Sequence, residues 1–240
     1  GKQNSPIMAG MIEEMDKSLG RMLDKLEDLK LMDNTIIVFF SDNGGNMYDV
    51  VNGGFPTNNS PLSYGKGNIH EGGIRVPCIV VWKGKVKPNT VSDEIIQSMD
   101  FYPTFLEATN TKPNPNQLLD GVSLVELLKY KKPLKREAIY CHFPNYVPST
   151  NNLPSTAVWY ENYKLIKEYG EGIDRSDAYK LYDLKKDIGE TTDLSMKYPK
   201  IVTKLSKMIE NYVANVGGLL PIKNPNYNAI KATSEYNNFL

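Results

Sequence analysis

Thr35-Ile36-Ile37-Val38-Phe39-Phe40, running directly into Ser41-Asp42-Asn43-Gly44-Gly45, is the stretch that decides the fold. An unbroken apolar and β-branched run, without alternation, predicts a strand buried on both faces by helices. The segment before it has helical periodicity. Ser5-Pro6 supplies an N-cap and a first-turn proline. Met8, Met11, Ile12, Met15, Leu19, Met22, Leu23, Leu26 and Leu29 then recur on one face, with Glu13, Asp16, Lys17, Arg21, Asp24 and Lys25 on the other. The expectation is an amphipathic helix packed on a sheet and ended by Asp33-Asn34. Its methionine stripe is read as core packing in preference to a partner-binding groove. Helix, turn and buried strand make half of a βαβ unit, and Ile79-Val80-Val81-Trp82 is a second strand candidate. The fold class is therefore α/β.

The remainder divides by pattern. The polar, glycine-rich segment 41–73 is too long for an idle loop, so it is functional or contains a short element. Residues 91–106 lead through an extended segment into a short helix at Tyr102-Pro103-Thr104-Phe105-Leu106, and 111–116 is a loop by composition. The basic, proline-containing connection 129–135 marks the expected boundary between residues 1–133, part of an α/β sheet domain, and 134–240. Beyond it, 138–143, 157–160, 164–167 and 179–182 are short aromatic and β-branched strands separated by turn residues, predicting a small antiparallel sheet. A helix at 199–213, broken by Gly217-Gly218, packs on it, and an irregular tail follows Pro221.

The chain has 240 residues, with 28 Lys+Arg against 28 Asp+Glu. Zero net charge excludes nucleic acid or an anionic membrane as a partner held by bulk field. No apolar run approaches the roughly 20 residues of a membrane-spanning helix. Cys78 and Cys141 are too few for a disulfide framework and lie in no C-x-x-C motif, so both are expected as buried apolar residues.

Ligands of open α/β sheets bind beyond the carboxyl ends of the strands, which is where Ser41-Asp42-Asn43-Gly44-Gly45 falls. Asp42 and Asn43 offer oxygen donors suited to Ca2+ or Mg2+, although an Asx turn capping the strand accounts for the same residues. In Gly65-Lys66-Gly67 a compact cation lies between two residues that let an anion approach the backbone. It is no Walker A motif, because Gly67 stands where Ser or Thr is needed, and no dinucleotide fingerprint, because His70 stands where the third glycine is needed.

Taken in order, several segments resemble the sulfatase family of the alkaline phosphatase superfamily. They are Met15-Asp16 to Leu26, Asp33-Asn34-Thr35, Ser41-Asp42-Asn43-Gly44, Gly65-Lys66-Gly67, Glu71-Gly72-Gly73-Ile74-Arg75-Val76-Pro77, Met99-Asp100 to Pro103-Thr104, Asp120-Gly121-Val122-Ser123-Leu124 and Leu181-Tyr182-Asp183-Leu184. The resemblance implies an alkaline phosphatase-like sheet domain, with Asp42 and Asn43 as calcium ligands and Lys66 contacting the sulfate being transferred. Related zinc enzymes carry histidine where this chain has Asn43. The resemblance also offers His142, in an aromatic His-x-Pro segment, as a contact to a sugar, against a half-buried histidine at a strand end. His70 is read as structural, and Arg75 as pairing with a carboxylate such as Glu71.

One departure is decisive. Sulfatases carry an amino-terminal Cys-x-Pro-x-Arg or Ser-x-Pro-x-Arg motif whose first residue becomes formylglycine, the nucleophile. Cys78 is followed by Ile79-Val80 and Cys141 by His142-Phe143, so neither fits. The aspartates that complete the calcium shell are missing too. The expectation is the carboxyl-terminal portion of a calcium-dependent sulfatase acting on a sulfated carbohydrate or small sulfate ester, periplasmic or secreted. Alone it is expected to be inactive, with the missing amino-terminal segment as its partner. The alternatives are a phosphoryl or phosphonate ester hydrolase of the same superfamily and a non-catalytic glycan- or partner-binding fragment.

Overall fold

The computed structural model describes residues 5–48, 56–171 and 176–222, so most of the tail after Pro221 lies outside the described residues. Helix α1 spans Pro6–Asp28. Ser5 Oγ accepts a hydrogen bond from Met8 N at 3.2 Å, the N-cap its sequence announces. Strands β1 (Ile36–Phe40) and β2 (Cys78–Trp82) pair in a two-stranded sheet. Between them the short helix α2 covers Glu71–Ile74.

Two expectations fail here for one reason. No residue of α1 is buried, and β1 is half-buried instead of enclosed on both faces. Met11 is 63% exposed on α1 and Ile79 is 57% exposed on β2. Two five-residue strands, about 17 Å long and about 5 Å apart, offer too little surface to bury a 23-residue helix about 35 Å long or to enclose each other. Cys78, at the start of β2, is consequently exposed and not buried; Cys141 is half-buried against apolar neighbours.

Helices α3 (Phe101–Ala108) and α4 (Val125–Tyr130) follow. Phe101, Leu124 and Leu127 form a small core against Val38, Ile96, Leu128 and Leu134. Asp100 is fully buried, and its two oxygens accept from Arg136 Nη1 at 2.9 Å each.

Strands β3 (Ile139–Phe143), β4 (Ser155–Tyr160), β5 (Tyr163–Glu168) and β6 (Ala178–Asp183) form an antiparallel meander in sequential order. Side chains alternate across this sheet. On one face Val158, Leu165 and Leu181 pack against Leu205, Ile209 and Val213 of α5 (Pro199–Asn215). On the other, Ile139, Ala157, Trp159, Ile166 and Tyr182 pack against Ile69, which comes from the loop before α2. Both faces are thus covered. The chain gathers into two compact units discontinuous in sequence: Gly1–Met15, Phe40–Pro77 and Ala138–Leu240 in one, Asp16–Phe39 and Cys78–Glu137 in the other.

Candidate functional site

The turn after β1 and the loop before α2 are held together backbone to backbone. Gly44 N donates to Gly73 O at 2.8 Å, and Lys66 N donates to Gly45 O at 3.1 Å. These contacts leave no room for side chains at the glycines. A Cβ on Gly44 would stand 1.7 Å from Gly72 O, and one on Gly73 would stand 2.0 Å from Asn68 O. Glycine at these two positions is required by close approach.

Asn59 locks the pair. Its Oδ1 accepts from Gly45 N at 3.1 Å, while its Nδ2 donates to Gly45 O at 2.9 Å and to Tyr64 O at 3.0 Å. Tyr48 Oη accepts from Gly65 N at 3.0 Å, and burial holds its phenol above the ordinary tyrosine range. On the far side, Asn68 Nδ2 donates to Thr150 O at 3.1 Å and Ile69 N donates to Asn152 Oδ1 at 3.0 Å. The loop carrying Lys66 is therefore tied at both ends, and it leaves the Lys66 side chain exposed. Among the described residues the Lys66 ammonium has no ion pair, so its charge is available to an anion.

Asp42 and Asn43 lie next to one another, with Asn43 Nδ2 donating to Asp42 Oδ1 at 2.8 Å. They can present two side-chain oxygen donors to a hard cation. Among the described residues no three His, Cys, Asp or Glu side chains gather into a metal-binding set. Calcium takes roughly six to eight oxygens, so these two residues fit as part of a calcium shell and not as a whole one.

His142 is elsewhere, on β3. Its Nδ1 is 2.7 Å from Thr156 Oγ1 and its Nε2 is 2.9 Å from Leu219 O. Both ring nitrogens are engaged within the chain, and a sugar contact through either requires exchanging a partner. His70 is buried, with Nδ1 2.6 Å from Asn68 Oδ1. Burial, then the Lys164 and Lys180 charges, lower its pKa to about 3. Arg75 Nη1 meets Glu71 Oε2 at 3.3 Å, the pairing expected for it.

Sequence reasoning did not single out Asn59, Tyr48, Lys164 or Glu190. Asn59 lies in a polar run where one asparagine looks like another, and Lys164 reads as the solvent side of an alternating strand. Tyr48, three residues after Gly45, and Glu190, six after Leu184, lay close to motifs without belonging to them.

Comparison with known proteins yields consistent matches. The model of the family described as Sulfatase matches residues 6–111, and that described as N-sulphoglucosamine sulphohydrolase, C-terminal, matches residues 63–215. A sulfatase of Formosa agariphila is 35% identical over 209 residues, covering 80% of this chain and 35% of that protein. The crystal structure of Ps i-CgsB in complex with k-i-k-neocarrahexaose superposes with a TM-score of 0.73 at 28% identity, over 85% of this chain and 42% of that one. A second structure, solved in complex with its substrate D-glucosamine-2-N, 6-O-disulfate, gives 0.67 at 26% identity, over 85% and 39%. The chain spans about a third of the length of the Formosa relative and about two fifths of each of these solved chains.

Proposed function

The chain belongs to the sulfatase family and covers its carboxyl-terminal portion, and on that premise we propose that the intact protein hydrolyses sulfate monoesters of a carbohydrate. The observation that carries this reading is the direct backbone link between the Asp42-Asn43-Gly44-Gly45 turn and the loop presenting the exposed Lys66 ammonium, Lys66 N to Gly45 O at 3.1 Å. Lys66 supplies fixed positive charge to sulfate oxygens as negative charge develops on breaking the S–O bond to the alcohol. Asp42 and Asn43 contribute oxygen donors to a Ca2+ ion, with Mg2+ the alternative. When bound, such a cation adds a second positive charge against the same oxygens. His142 is the chain's candidate for a sugar contact.

In this reading residues 1–133 are the carboxyl-terminal part of the α/β domain and 134–240 form the small antiparallel subdomain. An amino-terminal portion supplies the formylglycine nucleophile and the remaining calcium ligands, and it covers the exposed apolar residues of α1 and β2. The 240-residue chain alone is inactive, and the intact enzyme works in the periplasm or outside the cell. Structures in which neighbours hold k-i-k-neocarrahexaose and D-glucosamine-2-N, 6-O-disulfate support the carbohydrate class.

The test is hydrolysis of 4-nitrophenyl sulfate by the complete protein, with 4-nitrophenyl phosphate as competitor substrate. Lys66→Ala should lower kcat about 100-fold or more, in line with the loss of a charge-stabilising donor, and Asp42→Ala should raise the calcium concentration needed and lower turnover. Faster hydrolysis of the phosphate ester, or a Lys66→Ala enzyme within twofold of the parent, overturns the assignment.

A further inference from the structure

β5 carries a lysine in its interior. Lys164 is 0% exposed and faces the Ile69 side of the sheet, with Trp159 and Tyr182 as its cross-strand neighbours. Its ammonium has three protons and finds three acceptors: Glu190 Oε1 at 2.7 Å, Ile69 O at 3.0 Å and Glu71 Oε1 at 3.1 Å. The carboxylates are satisfied in turn. Glu190 Oε2 accepts from Ser63 Oγ at 2.6 Å and from Glu71 N at 2.7 Å. Glu71 Oε1 also accepts from Trp159 Nε1 at 3.0 Å.

Burying one lysine and two glutamates is costly, and an apolar trio of the same volume serves stability as well or better. What the charged cluster provides is geometry. Every loop group that it holds flanks Lys66: Ser63 lies three residues before it, Ile69 three after and Glu71 five after. The two side chains that do the holding, Lys164 and Glu190, come from the antiparallel sheet and the segment behind it. The cluster is therefore a crosspiece from the small subdomain to the loop that presents the exposed ammonium.

We propose that Lys164 and Glu190 are positioning residues for Lys66, fixing where its ammonium stands relative to the Asp42–Asn43 turn. This rests on the reading of Lys66 as the sulfate contact. Positioning errors of the order of 1 Å are sufficient to cost about 100-fold in rate.

The experiment uses Glu190→Gln, Lys164→Met and the milder Ser63→Ala, which removes one loop hydrogen bond and leaves no charge unpaired. In the complete enzyme acting on 4-nitrophenyl sulfate, Glu190→Gln should lower kcat about tenfold or more while KM changes less than about threefold. In the 240-residue chain, amide exchange over 63–71 should speed up about tenfold in Ser63→Ala while β4 and β5 stay within about twofold of the parent. The proposal is overturned if exchange rises equally in loop and sheet with kcat unchanged, or if neither moves; Ser63→Ala decides it even where Lys164→Met does not fold. A parent-like Lys66→Ala enzyme overturns the functional reading and the proposal together, whereas an inactive Lys66→Ala beside a fully active Glu190→Gln overturns the proposal alone.

Discussion

Strands β5 and β2 are both rich in apolar residues, yet they meet opposite fates. Leu165 on β5 is 0% exposed, enclosed by α5, whereas Ile79 on β2 is 57% exposed. The difference is the number of elements available to cover each sheet. The four-stranded meander has a helix on one face and the Ile69 loop on the other, both from this chain. The β1–β2 pair has no such enclosure among the described residues. Apolar sequence states a demand for cover, and tertiary partners decide whether it is met.

Leu165→Ala should lower the unfolding free energy by about 2–5 kcal/mol, because it empties a fully enclosed site. Ile79→Ala should cost less than about 1 kcal/mol. Urea unfolding of the two variants measures both, and equal costs break the contrast.

The covered region should also carry the acid sensitivity. His70 is neutral in the fold, with a pKa lowered to about 3 from an ordinary 6.5, so the unfolded chain binds the extra proton first as pH falls. Its contribution is fully present above pH 6.5 and is lost progressively toward pH 3. By pH 5 the loss should be about 2 kcal/mol. His70→Gln should flatten that part of the curve, read as Tm against pH by circular dichroism. Glu71 acts lower down: burial pushes its carboxyl up, but the Lys164 ammonium, the Trp159 hydrogen bond and Arg75 bring it below the usual carboxylate range. Its share is lost only as pH falls below the ordinary glutamate value of about 4.3.

A smaller effect is expected at Asn59, which is half-buried. Asn59→Ala removes three hydrogen bonds to Gly45 and Tyr64 and should cost about 1 kcal/mol, with faster amide exchange concentrated at Gly45. The smallest belongs to the uncovered region. Lys83 Nζ meets Asp33 Oδ1 at 2.8 Å with both side chains exposed, so Lys83→Ala should leave the urea midpoint unchanged.

The meander and α5 were legible because each strand alternates and each ends at turn residues. The expected strands 157–160 and 164–167 fall within Ser155–Tyr160 and Tyr163–Glu168. Helix α4, Val125–Tyr130, was not legible, since six residues give too little periodicity to read. Within the site, Asp42, Asn43 and Lys66 stood out through their place after a strand and between glycines. Asn59 did not, because its role consists of bonds to backbone 14 residues away. Lys164 did not stand out either. A lysine in an alternating strand looks like a solvent-facing residue, and only the fold reveals two carboxylates on its face.

The uncovered stripe of α1 has a chemical consequence as well as an energetic one. Met11, Met15 and Met22 are each at least half exposed, and accessible thioethers are oxidised to sulfoxides before enclosed ones. Peroxide applied to the 240-residue chain should add one oxygen to each, whereas in the proposed intact enzyme, with α1 covered, they should stay unoxidised. The methionines of one helix thereby become mass labels that report whether the helix is covered.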